Sequence, residues 1–183
     1  RDLHNNRHSF PTRRSSDLTR LATVGDLAVT APGIAAFGLP LVTTAANLTV
    51  RGLGLTALDL DALATVSGRL SIATTALTAL ELPALTSVGI TLGVATASRR
   101  DDPQTPEDES GTPSALTALR LPALQTVGFE LSISELPALT EVALPALSVA
   151  GGLAVVRATA LPALSLPALT RLEKAYRIEG SGS

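Results

Sequence analysis

The chain has 183 residues, with 14 Lys+Arg against 16 Asp+Glu, no Cys, Met or Trp, and 2% aromatics. A formal charge of −2 and the scarcity of rings exclude an electrostatic or stacking grip on nucleic acid, and zero Cys excludes disulfides, thiolate metal sites and a Cys nucleophile. Leu (33) and Ala (29) fill about a third of all positions, so a core must be assembled from many similar aliphatic layers, which is the signature of a repeat.

Residues 1–18, RDLHNNRHSFPTRRSSDL, match nothing downstream and hold both histidines, His4 and His8. They resemble the conceptual translation of a sequencing-library adapter and are set aside as a non-native or disordered segment. Without them the chain has no histidine, and any native leader is expected to be missing.

From Leu18 onward one phrase recurs about six times, with the consensus A-L-x-x-V-G-x-x-L-x-[IV]-x-x-x-x-L-T-x-L-x-L-P. Its first strand-like element falls at Leu27/Val29, Leu48/Val50, Leu70/Ile72, Leu92/Val94, Leu131/Ile133 and Leu153/Val155. The leading Leu residues are spaced 21, 22, 22, 39 and 22 apart. A second element falls at Phe37/Leu39, Leu58/Leu60, Leu80/Leu82, Leu119/Leu121, Val142/Leu144 and Leu164/Leu166. Each alternates apolar with other residues, the period of a half-buried strand. Coils of about 22 residues carrying two short strands stack in parallel, advancing about 4.8 Å per coil. The sequence thus predicts an all-β, right-handed parallel β-solenoid of about six coils, forming a single domain over 19–183. Pro40, Pro83, Pro122, Pro145 and Pro167 close the second strand, where no N–H donor is needed. Gly25, Gly68, Gly89, Gly128 and Gly151 fall at a corner that permits positive φ.

The long spacing holds an insertion over 98–114, rich in Pro and acids and free of Leu, Ile, Val and aromatics. That composition predicts disorder within a coil and not a domain boundary. At the far end Tyr176/Ile178 begins another strand 23 residues after Leu153/Val155. No polar cap follows, so the chain reads as a fragment truncated at both ends, with end-to-end association open to its bare coils.

LPALTSVG (82–89) and LPALQTVG (121–128), each followed by L-x-[IV], resemble the repeats of receptor L-domain proteins. These are leucine-rich-repeat relatives of bacterial and fungal surfaces and receptor ectodomains. The resemblance spans residues 18 to about 178 and implies an extracellular or cell-surface module that docks a protein or glycan. The chain departs from the pattern in lacking the receptor cysteines and in keeping only Asn47 of the usual asparagine ladder.

No catalytic, cofactor-binding or metal-binding set emerges. Asp59, Asp61 and Glu81 read as a solvated charge ladder with Arg120, although paired carboxylates could also serve a polysaccharide-cleaving β-helix. Asp101, Asp102, Glu107, Asp108 and Glu109 lack EF-hand ligand spacing. Gly52-Leu-Gly54 is too short for a dinucleotide fingerprint. The uncharged stretch Leu27–Val50 is broken by Pro32 and Pro40 and keeps the repeat register, so no transmembrane segment is expected. One surface feature stands out. Ala28, Thr49, Ser71, Gly93, Ser132 and Ala154 place a small uncharged residue at the middle outward position of every first strand. The next row, Thr30, Arg51, Ala73, Ala95, Ser134 and Val156, adds a single charge. The expected function is a non-enzymatic surface or secreted module using this face. The alternatives are simple low complexity in a structural spacer, an ice-binding face, or the polysaccharide-active enzyme.

Overall fold

A computed structural model describes residues 20–30, 33–97, 113–174 and 176–180. Residues 1–18 lie outside these, as do 98–112 of the insertion and its five acids. The described chain is all-β and contains no α-helix. Its parallel strands stack as a β-solenoid of about six turns with spacings near 22 residues.

The first coil supplies β1 (Thr23–Thr30) and β2 (Ala36–Gly38), and the second supplies β3 (Thr44–Gly52) and β4 (Ala57–Asp59). The third divides into β5 (Thr65–Val66), β6 (Leu70–Thr74) and β7 (Ala79–Glu81). The fourth holds β8 (Ser87–Val88), β9 (Thr91–Ala95) and β10 (Ala118–Arg120). The fifth follows with β11 (Thr126–Val127), β12 (Glu130–Ser134) and β13 (Glu141–Ala143). The sixth has β14 (Val149–Ala150) and β15 (Leu153–Val156), and its next side joins β13 through one bridge, Ala143 to Ser165. Above it lie β16 (Arg171–Leu172) and β17 (Tyr176–Glu179).

A coil therefore has three β segments where the sequence predicts two. The extra one is the T-V pair, too short to show alternation. It runs on into the L-x-[IV] strand in β1 and β3 and separates from it in later coils. Registers agree with the predicted repeat: Leu27, Leu48, Leu70, Leu92, Leu131, Leu153 and Tyr176 occupy one column. Alternation turns that column and the Val50, Ile72, Val94, Ile133 and Val155 column inward, where they merge into one aliphatic core. Burial fades at both ends: Leu27 and Leu172 are half-buried, while Tyr176 is 68% and Ile178 46% exposed.

Two expectations at the corners need correction. None of Gly25, Gly68, Gly89, Gly128 and Gly151 has positive φ. At Gly89 and Gly128 the requirement is close approach, because an added Cβ would fall 2.0 Å from the carbonyl oxygen of Ser67 or Gly89 in the coil below. The prolines do more than end a strand. In Leu82–Leu85, Leu121–Leu124, Leu144–Leu147 and Leu166–Leu169 the fourth N–H donates to the first carbonyl at 3.1–3.3 Å. Proline at the second position presets the φ of such a turn. The insertion's last residue, Ser114, is buried and its Oγ accepts from Leu116 N, so the coil resumes before residue 115.

Candidate functional site

The middle outward column is continuous in register. Ala28 pairs with Thr49, Thr49 with Ser71, Ser71 with Gly93, Gly93 with Ser132, and Ser132 with Ala154. Ala28 is exposed and the other five are half-buried, so all six reach the surface as predicted. One coil further the column ends in a charge, Arg177, paired with Ala154. The neighbouring row holds Thr30, Arg51, Ala73, Ala95, Ser134 and Val156, then Glu179. Ala73 departs from expectation in being buried, since its small side chain sinks between its neighbours.

On the other flank of the face the residue count between columns varies. Four positions separate Val66 from Leu70, Val88 from Leu92, Val127 from Leu131 and Leu172 from Tyr176, but only three separate Ala45 from Leu48 and Ala150 from Leu153. Where the three-position second coil meets the third, Asn47 fills the mismatch. Its Nδ2 donates to Asp26 Oδ1 at 2.7 Å, and its Oδ1 accepts from Arg69 N at 2.8 Å. Asn47 is therefore a corner plug. The short sixth coil has Gly151-Gly152 at that place and no side chain to plug the gap. A depression of about 390 Å³ remains, floored by Gly152 and Ala154 and walled by Phe129, Glu130, Lys174 and Arg177. Across it the Lys174 ammonium lies 3.4 Å from the centroid of the Phe129 ring. Arg177 is held by Glu179 through Nε–Oε1 and Nη2–Oε2, both 2.8 Å. This pairing raises the guanidinium pKa and holds the Glu179 carboxyl below its ordinary range.

A second, larger hollow of about 470 Å³ follows the T-V segments up the stack. Thr44, Thr65, Ser87 and Thr126 line it in one register column. Other hydroxyls are committed to the corners: Thr86 donates to Ala64 O at 3.0 Å, Thr117 to Thr78 O at 3.0 Å, and Thr140 to Thr117 O at 3.1 Å. Threonine in the L-T phrases thus ties each coil to the one below.

Of the predicted carboxylates only Glu81 enters the ladder with Arg120, while Asp59 Oδ1 accepts from Asp61 N at 3.3 Å. Asp59 and Glu81 belong to separate sheets, β2–β4 and β7–β10–β13. Arg120 bridges Glu81 at 2.7 Å and Glu141 at 2.8 Å, all three exposed. Hydrogen bonding to Glu141 and Glu81 pushes the Arg120 pKa further up, and Arg120 pulls that of Glu141 down. A carboxylate held ionised, as Glu141 is by Arg120, is poorly suited to general-acid work. Among the described residues no group of three or more His, Cys, Asp or Glu is placed to hold a metal ion. Among them, too, no helix is long and apolar enough to cross a membrane.

Comparison with family models, curated proteins and solved structures returns no match.

Neither the depression nor the T-V hollow follows from the repeat consensus. The first had a signal, the shortened V-x-x-x-L interval with two glycines. The second rests on strands of two residues, below the length at which a period can be read.

Proposed function

We propose that this chain is a non-enzymatic interaction module of a secreted or cell-surface protein, of the leucine-rich-repeat and receptor L-domain type. Its β1–β3–β6–β9–β12–β15–β17 face docks a protein or glycan partner. The observation that supports this reading is the in-register outward column Ala28 to Ala154, which carries no charge over six coils. Backbone-level access along a parallel sheet favours an extended partner laid across several coils. The confinement of Glu81 and Glu141 to ion pairs with Arg120 supports binding over hydrolysis.

The test places bulk and charge on the face without touching the core. Ser71→Arg with Ser132→Arg is expected to abolish binding to a glycan array and to isolated cell-surface material, with an unchanged circular-dichroism spectrum. Ala57→Arg with Ala79→Arg, on the exposed second-strand side, is the control and should leave binding intact. Binding that survives the first pair would assign the face a spacer role.

A further inference from the structure

We propose that the depression over the sixth coil binds one acidic sugar unit, a hexuronic acid within a glycan chain, with Lys174 and Arg177 taking its carboxylate and Glu130 and Ser132 its hydroxyls. The inference rests on the docking face proposed above and names the ligand class of its charged end. Three observations carry it. The site is an open gap: the sixth coil is one residue short at this corner, Gly152 lacks a side chain, and the equivalent mismatch below is plugged by Asn47. Its volume of about 390 Å³ lies within the ~300–1,000 Å³ usual for small-molecule clefts.

The rim then divides by charge. On the upper wall the Lys174 ammonium rests on the Phe129 ring and has no carboxylate partner among the described residues. Arg177 spends Nε and Nη2 on Glu179 and keeps Nη1 for a further acceptor. Lys174, the cation without a carboxylate, calls for an anion, and Arg177 adds a donor to it. On the lower wall the Glu130 carboxylate and the Ser132 hydroxyl make no hydrogen bond among the described residues and call for donors. An acidic peptide would set its own carboxylates against Glu130, whereas a sugar acid brings a carboxylate to one edge and hydroxyls to the other. At the floor, above the buried Gly152 and Leu153, the half-buried Ala154 offers an apolar contact to the C–H face of a pyranose ring. The walls stand on strands of the fifth and seventh coils, two strand spacings or about 10 Å apart, and the Lys174–Phe129 contact bridges them.

The experiment titrates the full chain with trigalacturonate, its methyl ester and neutral galactotriose, followed by calorimetry. The acid is expected to bind at least about tenfold more tightly than the ester or the neutral trimer. Lys174→Gln and Arg177→Gln, both at exposed positions, should each weaken it about tenfold with unchanged thermal unfolding. Gly152→Val, which fills the floor, should abolish it, and Phe129→Leu, which releases the lysine, should weaken it. Equal binding of acid and ester, or an unaltered affinity in Lys174→Gln, overturns the proposal. So does oligoglutamate binding as tightly as the sugar acid. Glycan binding lost in Ser71→Arg with Ser132→Arg but indifferent to Lys174→Gln would leave the face reading standing and remove this site alone.

Discussion

Replacing Gly89 by alanine probes the closest contact in the stack. The new Cβ would lie 2.0 Å from Ser67 O and 2.8 Å from Ser67 C, where real contacts are essentially never under 3.0 Å. Both are backbone atoms, so no rotamer change relieves the overlap and the third and fourth coils must part by about 1 Å or more. Two inter-coil hydrogen bonds sit at this corner, Gly89 N to Val66 O at 2.8 Å and Ile90 N to Gly68 O at 2.9 Å, and parting stretches both. Weakening two bonds of ~1 kcal/mol each, with overpacking of ~1–3 kcal/mol, makes the substitution cost about 3–5 kcal/mol. That is a large share of the ~5–15 kcal/mol available to a domain. Gly25→Ala is the matched control. Nothing lies within 4 Å of its Cβ, and its φ is negative, so it should be neutral or stabilise by up to ~1 kcal/mol. Urea unfolding followed by circular dichroism measures both. A Gly89→Ala variant as stable as the parent, or equal losses at Gly25 and Gly89, would refute the close-approach account.

Leu70→Ala and Leu131→Ala, each at a fully buried column position, should cost about 2–5 kcal/mol, while the outward Ser71→Lys should cost under about 1 kcal/mol in the same assay. Deleting Ser98–Ser114 turns the 39-residue interval into 22. Val94 is already registered on Ile72 and Ala115 N already bonds Thr75 O, so the variant should fold and lose no more than the one Ser114–Leu116 hydrogen bond, about 1 kcal/mol, and an unfolded product would make the insert structural. The lowered Glu141 pKa contributes stability that is present above the ordinary value of 4.5 and lost as pH falls through the folded value. The melting-temperature gap between the parent and Arg120→Gln should therefore be widest near neutrality and narrow towards pH ~3, and a gap independent of pH would deny the pairing.

The inward columns were legible because alternation is a bulk property: every second residue is Leu, Ile or Val, and burial follows directly. The corners were not. Gly89 and Gly128 signal a special backbone site equally well for positive φ or close approach, and only the coil below decides which. Thr86 and Thr117 look in the sequence like ordinary outward polar residues, since their acceptors lie 22 and 39 residues earlier. The small-residue face is visible as a column, yet its charged end at Arg177 lies between Tyr176 and Ile178, where the repeat pattern specifies only the inward positions. Phe129 and Lys174 are brought together by a missing residue, which a consensus averages away.

Along one side of the stack the strands fall into separate groups: β2 with β4, then β7 with β10 and β13. The second and third coils are joined through the long β3 strand on the other side, whose partners in the third coil are β5 and β6. This gives the molecule a hinge line. Thermal agitation should open the first two coils as a flap while the middle coils stay closed. Amide exchange would then show β2 and β4 trading protons early, β6, β9 and β12 last, and a step in protection between Leu60 and Leu82 in place of a smooth gradient.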